Sequence, residues 1–284
     1  MHRRFRSTRW VCLVPLLLAA CGDDGGSLST TPDFSPLTGS LGVQLYTVRA
    51  AMEQDFEGTL RGLAAMGYSE VEFAGLFERD PAQVAQLLAE LNLTAVGSHV
   101  TYDRFRSEPD AVIEETLALG AHYLVFPWLP DTQRRTLEQW QGWVALLNQV
   151  GQSSQARGLK LAYHNHDFEF QAIDGVRPID LLLDGVDRNL VKFEVDLYWV
   201  AKGGAEPGAL FERYPGGFPL VHAKDLRRSD QAMVDVGQGD LDFAAVFAQA
   251  EQAGIEHVIV EHDEPADPLQ SVQNSLSYLK ALTY

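Results

Sequence analysis

The chain has 284 residues, 39 of them acidic against 22 basic, for a formal net charge of −17 at neutral pH. That balance argues against a nucleic-acid binder, which needs a basic footprint to neutralise phosphates. It also fits an anionic membrane surface poorly, and with 46% hydrophobic residues the chain is long enough to be held by apolar burial.

Met1 to Trp10 carries Arg3, Arg4, Arg6 and Arg9 and no acid; an apolar run from Val11 to Ala20 and then Cys21 follow. Charged, apolar and small-residue zones in that order predict an export signal over residues 1–20. The apolar run is about half the ~20 residues that a membrane-spanning helix requires. Leu18-Ala-Ala-Cys21 resembles the bacterial lipobox, which implies cleavage before Cys21 and a lipid on that cysteine. The mature protein is then expected at a membrane through that lipid alone, facing the periplasm or the cell exterior. Four arginines leave with the leader, which takes the formal charge from −17 to −21. Cys12 leaves with them and Cys21 is acylated, so no disulfide is expected. Residues 21–40 are rich in Gly, Ser, Thr, Asp and Pro and read as a tether. Residues 41–284 are expected to form one domain.

Within that domain, short β-branched or aliphatic runs alternate with helical periodicity. Strands are predicted at Leu41–Tyr46, Glu70–Ala74, Thr94–His99, His122–Pro127, Lys160–His164, Leu190–Asp196, Pro219–His222 and Val258–Glu261. Helices are predicted at Phe56–Met66, Pro81–Leu91, Asp110–Leu119, Leu137–Arg157, Pro178–Leu183, Pro207–Tyr214, Phe243–Ala253 and Pro268–Leu282. Several open on Pro, whose missing N–H costs little in the first turn. Gly67, Gly120, Gly158 and Gly254 each stand between a helix and the next strand, as left-handed C-caps would. Eight strand–helix units predict an α/β fold, a (β/α)8 TIM barrel. The alternative is a doubly wound sheet, but no glycine-rich phosphate loop follows the first strand.

In a TIM barrel the active site lies at the C-terminal ends of the strands. His99, His164, His166, His222 and His262 fall at or just past those ends; His122 and His257 fall at strand beginnings. Asp196 ends the sixth strand, Glu261 the eighth, and Glu72 lies within the second. Carboxylates inside an apolar barrel are costly unless they meet a cation or a donor network. Carboxylates converging with imidazoles point to one divalent metal ion, and mixed O/N ligation suits Mn²⁺, Co²⁺, Zn²⁺, Fe²⁺ or Mg²⁺.

Leu41-Gly-Val-Gln-Leu-Tyr-Thr-Val-Arg49, Tyr163-His-Asn-His-Asp-Phe-Glu-Phe170, Glu194-Val-Asp196, His222-Ala-Lys-Asp225, Gly237-Gln-Gly-Asp-Leu-Asp242 and Val260-Glu-His262 occur in that order. Together they resemble the sugar phosphate isomerase/epimerase family, the xylose-isomerase-like TIM barrels. The resemblance implies a single divalent metal held on strands five to eight, with Asp196, His222 and Glu261 as ligands. Most members have Glu on the fifth strand where this chain has His164, which is expected to ligate in its place or to touch substrate. Family epimerases use the glutamates of strands five and eight as an acid/base pair, so the change makes elimination, hydration or one-base isomerisation more credible. Family members are often oligomers; no interface is identified in the sequence.

Around that centre, His166 is assigned to substrate contact and proton movement, with a hydrogen-bonding loop histidine as the alternative. Lys224 shares an inward face with His222 by period-two alternation. It is expected to act as acid, base or oxyanion partner with a pKa lowered by the metal, or else to pair with Asp225 or Glu261. His99, Glu72 and Trp199 are assigned to the substrate, Trp199 and Tyr198 as a platform for a sugar ring or as rim core. Glu194 faces the same way as Asp196 one layer deeper and is read as structural. Gly237 and Gly239 are read as shaping a loop.

These assignments lead to an enzyme that isomerises or epimerises an unphosphorylated sugar or keto-sugar through an enediolate, with Glu261, His166 or Lys224 moving the proton. Loss of a β-substituent would instead make it a lyase or dehydratase. An export signal and an acidic surface both argue against a phosphorylated substrate. The rival from another class is a sugar-binding lipoprotein without catalysis. A metal-dependent endonuclease of the same fold is disfavoured by export and charge.

Overall fold

Ten strands form where β-branched and aliphatic residues cluster between helices. They are β1 (Leu41–Gln44), β2 (Glu70–Phe73), β3 (Thr94–His99), β4 (Tyr123–Phe126), β5 (Lys160–His164), β6 (Val191–Asp196), β7 (Leu220–Ala223), β8 (Asp225–Arg227), β9 (Ala232–Val234) and β10 (His257–Val260). They are seen in a computed structural model that describes residues 39–284. The expected leader and all but the last two residues of the expected tether lie outside the described residues.

Eight of the strands pair in parallel and close on themselves, β1 lying between β2 and β10. This is the expected TIM barrel, and its helices lie between the strands. Strand ends agree with the sequence reading to within two residues. The predicted Phe243–Ala253 helix is two short ones, Phe243–Phe247 and Ala250–Ala253. Additional helices occur at Arg49–Gln54 and Tyr102–Ser107, and β8 and β9 form an antiparallel hairpin between β7 and β10. Gly67, Gly120, Gly158 and Gly254 all take positive φ, from 77° to 103°, where an L side chain would be strained. Thr136 and Gln139 close a reciprocal capping box on the helix Leu137–Gln155. Among the described residues, no helix is long and apolar enough to cross a membrane.

Side chains on the outer strand faces pack with the helices in a large apolar layer that includes Leu60, Phe73, Trp140 and Phe193. Inside the barrel the filling changes along the axis. Val96, Tyr123, Val125, Ala162, Leu220 and Ile259 form a separate apolar cluster. One step of the period-two alternation further along β5, β7 and the end of β10 come His164, His222 and Glu261. The barrel therefore has an apolar floor with a polar layer on top of it.

A bulge shapes that layer. Val71 pairs with Ala95 but Glu72 pairs with Gly97, so Val96 is skipped. The extra residue resets the alternation and brings His99 beside inward-facing Val125. Gly97 leaves the Glu72 carboxylate its place, because a Cβ would stand 2.2 Å from Glu72 Oε1.

Candidate metal centre

The polar layer brings together Glu72 from β2, His99 from β3, His164 from β5, Glu194 and Asp196 from β6, and His222 from β7. Lys224 and Glu261 join them just past β7 and β10. All are buried except His99, which is half-buried. Their contacts fall into two tiers. In the lower tier, Glu194 Oε2 lies 2.9 Å from His99 Nε2, 3.0 Å from His164 Nδ1 and 3.2 Å from His222 Nε2. Glu72 Oε2 is 2.6 Å from His222 Nε2 and accepts a 2.9 Å hydrogen bond from Gln44 Nε2. In the upper tier, His222 Nδ1 is 2.6 Å from Glu261 Oε2 and 3.9 Å from Asp196 Oδ2. His164 Nε2 lies 3.7 Å from Asp196 Oδ2. Ligating atoms of Asp196, His222 and Glu261 all lie within 4.8 Å of one another, as do those of His99, His164, Glu194 and His222.

These residues fit a divalent ion. Among the described residues, Glu72 Oε1, Glu194 Oε1 and Asp196 Oδ2 are buried oxygens with no hydrogen-bond partner; a cation held by Asp196, His222 and Glu261 would meet Asp196 Oδ2 and offset the buried negative charge around it. Burial pushes the Asp196 carboxyl up to about 6, more than nearby Lys224 pulls it down. Burial, joined by the surrounding imidazoles and Lys224, holds His164 well below the usual histidine range. Its ring is therefore neutral, as a ligand must be. The other two rings differ. Burial alone would lower them, but Glu72 and Glu194 raise His99 to about 10, and Glu194, Glu261 and Glu72 hold His222 well above its ordinary value. Without a metal, carboxylates keep a proton on His222 that an ion would displace.

Lys224 lies 2.7 Å from Glu261 Oε2, 2.8 Å from Asp263 Oδ1 and 3.1 Å from Asp196 Oδ2. Burial would lower its pKa, but these three carboxylates outweigh burial and hold the ammonium well above its usual range. Of the two pairings expected for Lys224, that with Glu261 forms and that with Asp225 does not. Asp225 is turned into the following loop, where its carboxylate accepts from the backbone N–H groups of Leu226, Gly237, Gly239 and Leu241. Gly239 has no room for a Cβ, which would lie 2.3 Å from Asp225 Oδ1. Burial would raise Glu261, yet Lys224 and His222 hold it well below the usual carboxylate range.

A cavity of about 770 Å³ opens above this layer, lined by His99, His164, His166, Trp199, Lys224 and Glu261 among others, with Tyr46 and Trp128 exposed at its side. The His166 ring packs between Phe168 and Trp199, with ring centres 5.3 and 5.2 Å away. Its Nδ1 and the Trp199 Nε1 are both buried without a hydrogen-bond partner among the described residues. Burial, with Lys224 second, pushes His166 down to about 3, so its ring is a neutral hydrogen-bonding group at ordinary pH. Glu169 holds its loop, accepting from the His166 backbone N–H at 2.8 Å and the Tyr163 hydroxyl at 2.6 Å.

Most residues singled out in the sequence therefore meet at one place. Glu72 does not line the cavity; it sits beneath the imidazoles, where Gln44 and His222 hold it, and this corrects its assignment to substrate. Glu194 proves more central than its depth suggested. Its shared parity with Asp196 was visible, but its reach to three rings depends on the register across four strands. Asn165 was not singled out: it exchanges hydrogen bonds with the Asp196 backbone, 3.1 and 3.4 Å long, and ties the ends of β5 and β6 together.

Residues 60–282 match the family of xylose isomerase-like TIM barrels. The chain belongs to that family. An inosose dehydratase of Clostridium perfringens (strain 13 / Type A) is 26% identical over 273 residues, covering 81% of this chain and 91% of that enzyme. A solved sugar phosphate isomerase/epimerase of Parabacteroides distasonis ATCC 8503 superposes with a TM-score of 0.74 at 24% identity, covering 85% of this chain and 93% of that one. A crystal structure of the IOLI protein with a zinc atom bound superposes with a TM-score of 0.69 at 16% identity, covering 84% and 96%. The structural likenesses show the shared fold. Family, relatives and site together make this chain an enzyme.

Proposed function

We propose that this chain is a metal-dependent lyase that removes the proton beside the carbonyl of an unphosphorylated keto-sugar and expels a hydroxyl from the next carbon. One observation carries this choice over epimerisation: β5 ends in His164, so among the described residues only β10 sends a strand-end carboxylate, Glu261, to the cavity together with the metal candidates. Epimerisation needs proton-moving groups on two faces of the substrate, whereas elimination can run from one. The inosose dehydratase relatives support the same choice.

His164, Asp196, His222 and Glu261 would hold the ion, which when bound supplies a Lewis acid that polarises the carbonyl and acidifies the adjacent C–H. Glu261 is held ionised and ready to accept that proton at a carboxylate oxygen. Lys224 Nζ, 2.7 Å away, donates a proton to the departing hydroxyl and recovers one from Glu261. The C–H and C–O bonds break, a C=C bond forms, water leaves, and both side chains end as they began. Trp199 Nε1 and His166 Nδ1 orient substrate hydroxyls from the buried side of the cavity.

The cavity's cations support an unphosphorylated substrate. Among the described residues, Arg104 is bound to Glu115 through two hydrogen bonds of 2.8 and 3.1 Å, and Lys224 is enclosed by carboxylates. An exported lipoprotein, as the leader suggests, would also meet sugars rather than sugar phosphates. The test is to incubate the purified chain with Mn²⁺, Co²⁺ or Zn²⁺ and a panel of keto-sugars and their phosphates in D₂O, following mass and proton spectra. Loss of water from an unphosphorylated keto-sugar is expected. An isomer formed without loss of water, or turnover that is best on phosphates, contradicts the reading.

A further inference from the structure

An imidazole ligates through a nitrogen that carries no proton, so replacing a glutamate ligand by histidine works only if something fixes which nitrogen is free. His164 has that fixture beneath it. Its Nδ1 lies 3.0 Å from Glu194 Oε2, while its Nε2, on the far side of the ring, lies 3.7 Å from Asp196 Oδ2. A carboxylate can only accept, so the proton stays on Nδ1 and the Nε2 lone pair is turned to the Asp196 side. His222 differs: its Nε2 has Glu72 as the nearer partner, 2.6 Å against 3.2 Å to Glu194, and its Nδ1 also faces a carboxylate, Glu261, at 2.6 Å. Glu194 is fully buried and stands two residues before Asp196 on β6, so one strand supplies both a ligand and the group behind His164.

We propose that Glu194 is a positioning carboxylate that makes His164 a metal ligand, so that the carboxylate the family resemblance implies on β5 is here moved behind an imidazole. The inference rests on the metal-centre reading above and adds that His164 and Glu194 act as a pair. It predicts that Glu194 is needed only while residue 164 is histidine.

The test is a cycle of four proteins: the parent, E194Q, H164E and H164E/E194Q. Co²⁺ affinity is measured by chelator competition, and the visible bands of the bound cobalt are recorded. E194Q should weaken Co²⁺ binding by about 10–100-fold and alter the bands. In the H164E background, where a carboxylate ligand is restored and Nδ1 no longer exists, the same change should shift affinity by less than about threefold. Equal losses in both backgrounds would mean that Glu194 only supports the fold, and unchanged affinity and bands in E194Q would mean that it does nothing to the ion; either overturns the pairing. Should E194Q fail to fold, ¹⁵N spectra of the histidines in the zinc-loaded parent decide instead. A proton on His164 Nδ1 supports the pairing, and a proton on Nε2 overturns it. Parent binding that depends on Asp196 but not on Glu194 defeats this inference alone, whereas a parent that binds no divalent ion defeats the metal centre with it.

Discussion

Both ends of the barrel carry histidines and carboxylates, yet they are built on opposite plans. At the N-terminal end, His257 shares its Nδ1 with both oxygens of Glu70 at 3.0 Å. Lys160 donates to the Tyr123 hydroxyl at 2.9 Å and lies 3.3 Å from Glu256, while His122 is exposed. Acids there meet a donor or a cation, and water is close by. At the C-terminal end four fully enclosed or nearly enclosed carboxylates crowd three imidazoles, and among the described residues three of their oxygens are left without a hydrogen bond. Residue types alone do not separate the two ends. What separates them is the excess of buried negative charge at one end, which a cation would relieve, and its absence at the other.

The contrast is sharpened most by the groups at the cavity floor. Lys224→Met should reduce turnover of a keto-sugar substrate by about 10²–10⁴-fold with the metal content kept, since it removes a proton donor rather than a ligand; steady-state kinetics beside metal analysis checks this. A smaller effect is expected at Trp199, whose unpaired Nε1 is assigned to a substrate hydroxyl. Trp199→Phe keeps the aromatic face and should cost about 0.5–1.5 kcal/mol of binding, read as a rise in KM.

Glu169 lies behind the site, and its effect is on stability. Burial raises its carboxyl to about 8 from an ordinary value of 4.5, so between those values the folded state holds a proton that the unfolded state has lost. Its contribution to stability therefore falls as pH rises through that window. Glu169→Gln removes the titration, so the Tm advantage of the parent over the variant should shrink steadily from pH 5 to pH 8. A difference that stays constant with pH would mean the carboxyl is not buried in this way. The smallest effect belongs to the other end: His257→Ala should cost about 1 kcal/mol or less in urea unfolding and leave metal content and turnover unchanged.

The sequence shows the fold more fully than the site. Eight strand runs, proline at helix starts and glycine at helix ends are local signals, and the folded chain uses them where they occur. Strands β8 and β9 escape notice because three residues each are too few to show alternation. The skipped Val96 escapes for a related reason: a bulge is a matter of pairing between two strands, and nothing in Thr94–His99 by itself announces it. Ligand candidates at strand ends were legible because position along a strand decides which end of the barrel a residue serves. Glu72 was misjudged because its depth depends on Gly97 giving it room, a contact between residues 25 apart in the sequence. Glu194 was undervalued for the same reason, its partners lying on three other strands.

The central claim is that the buried charge at the C-terminal end is a metal site. The most direct measurement is the metal content of the purified chain beside Asp196→Ala and His222→Ala. About one equivalent of a divalent metal in the parent, lost in both variants, is the predicted result. A parent that holds none after exposure to Mn²⁺, Co²⁺ and Zn²⁺ would contradict the account.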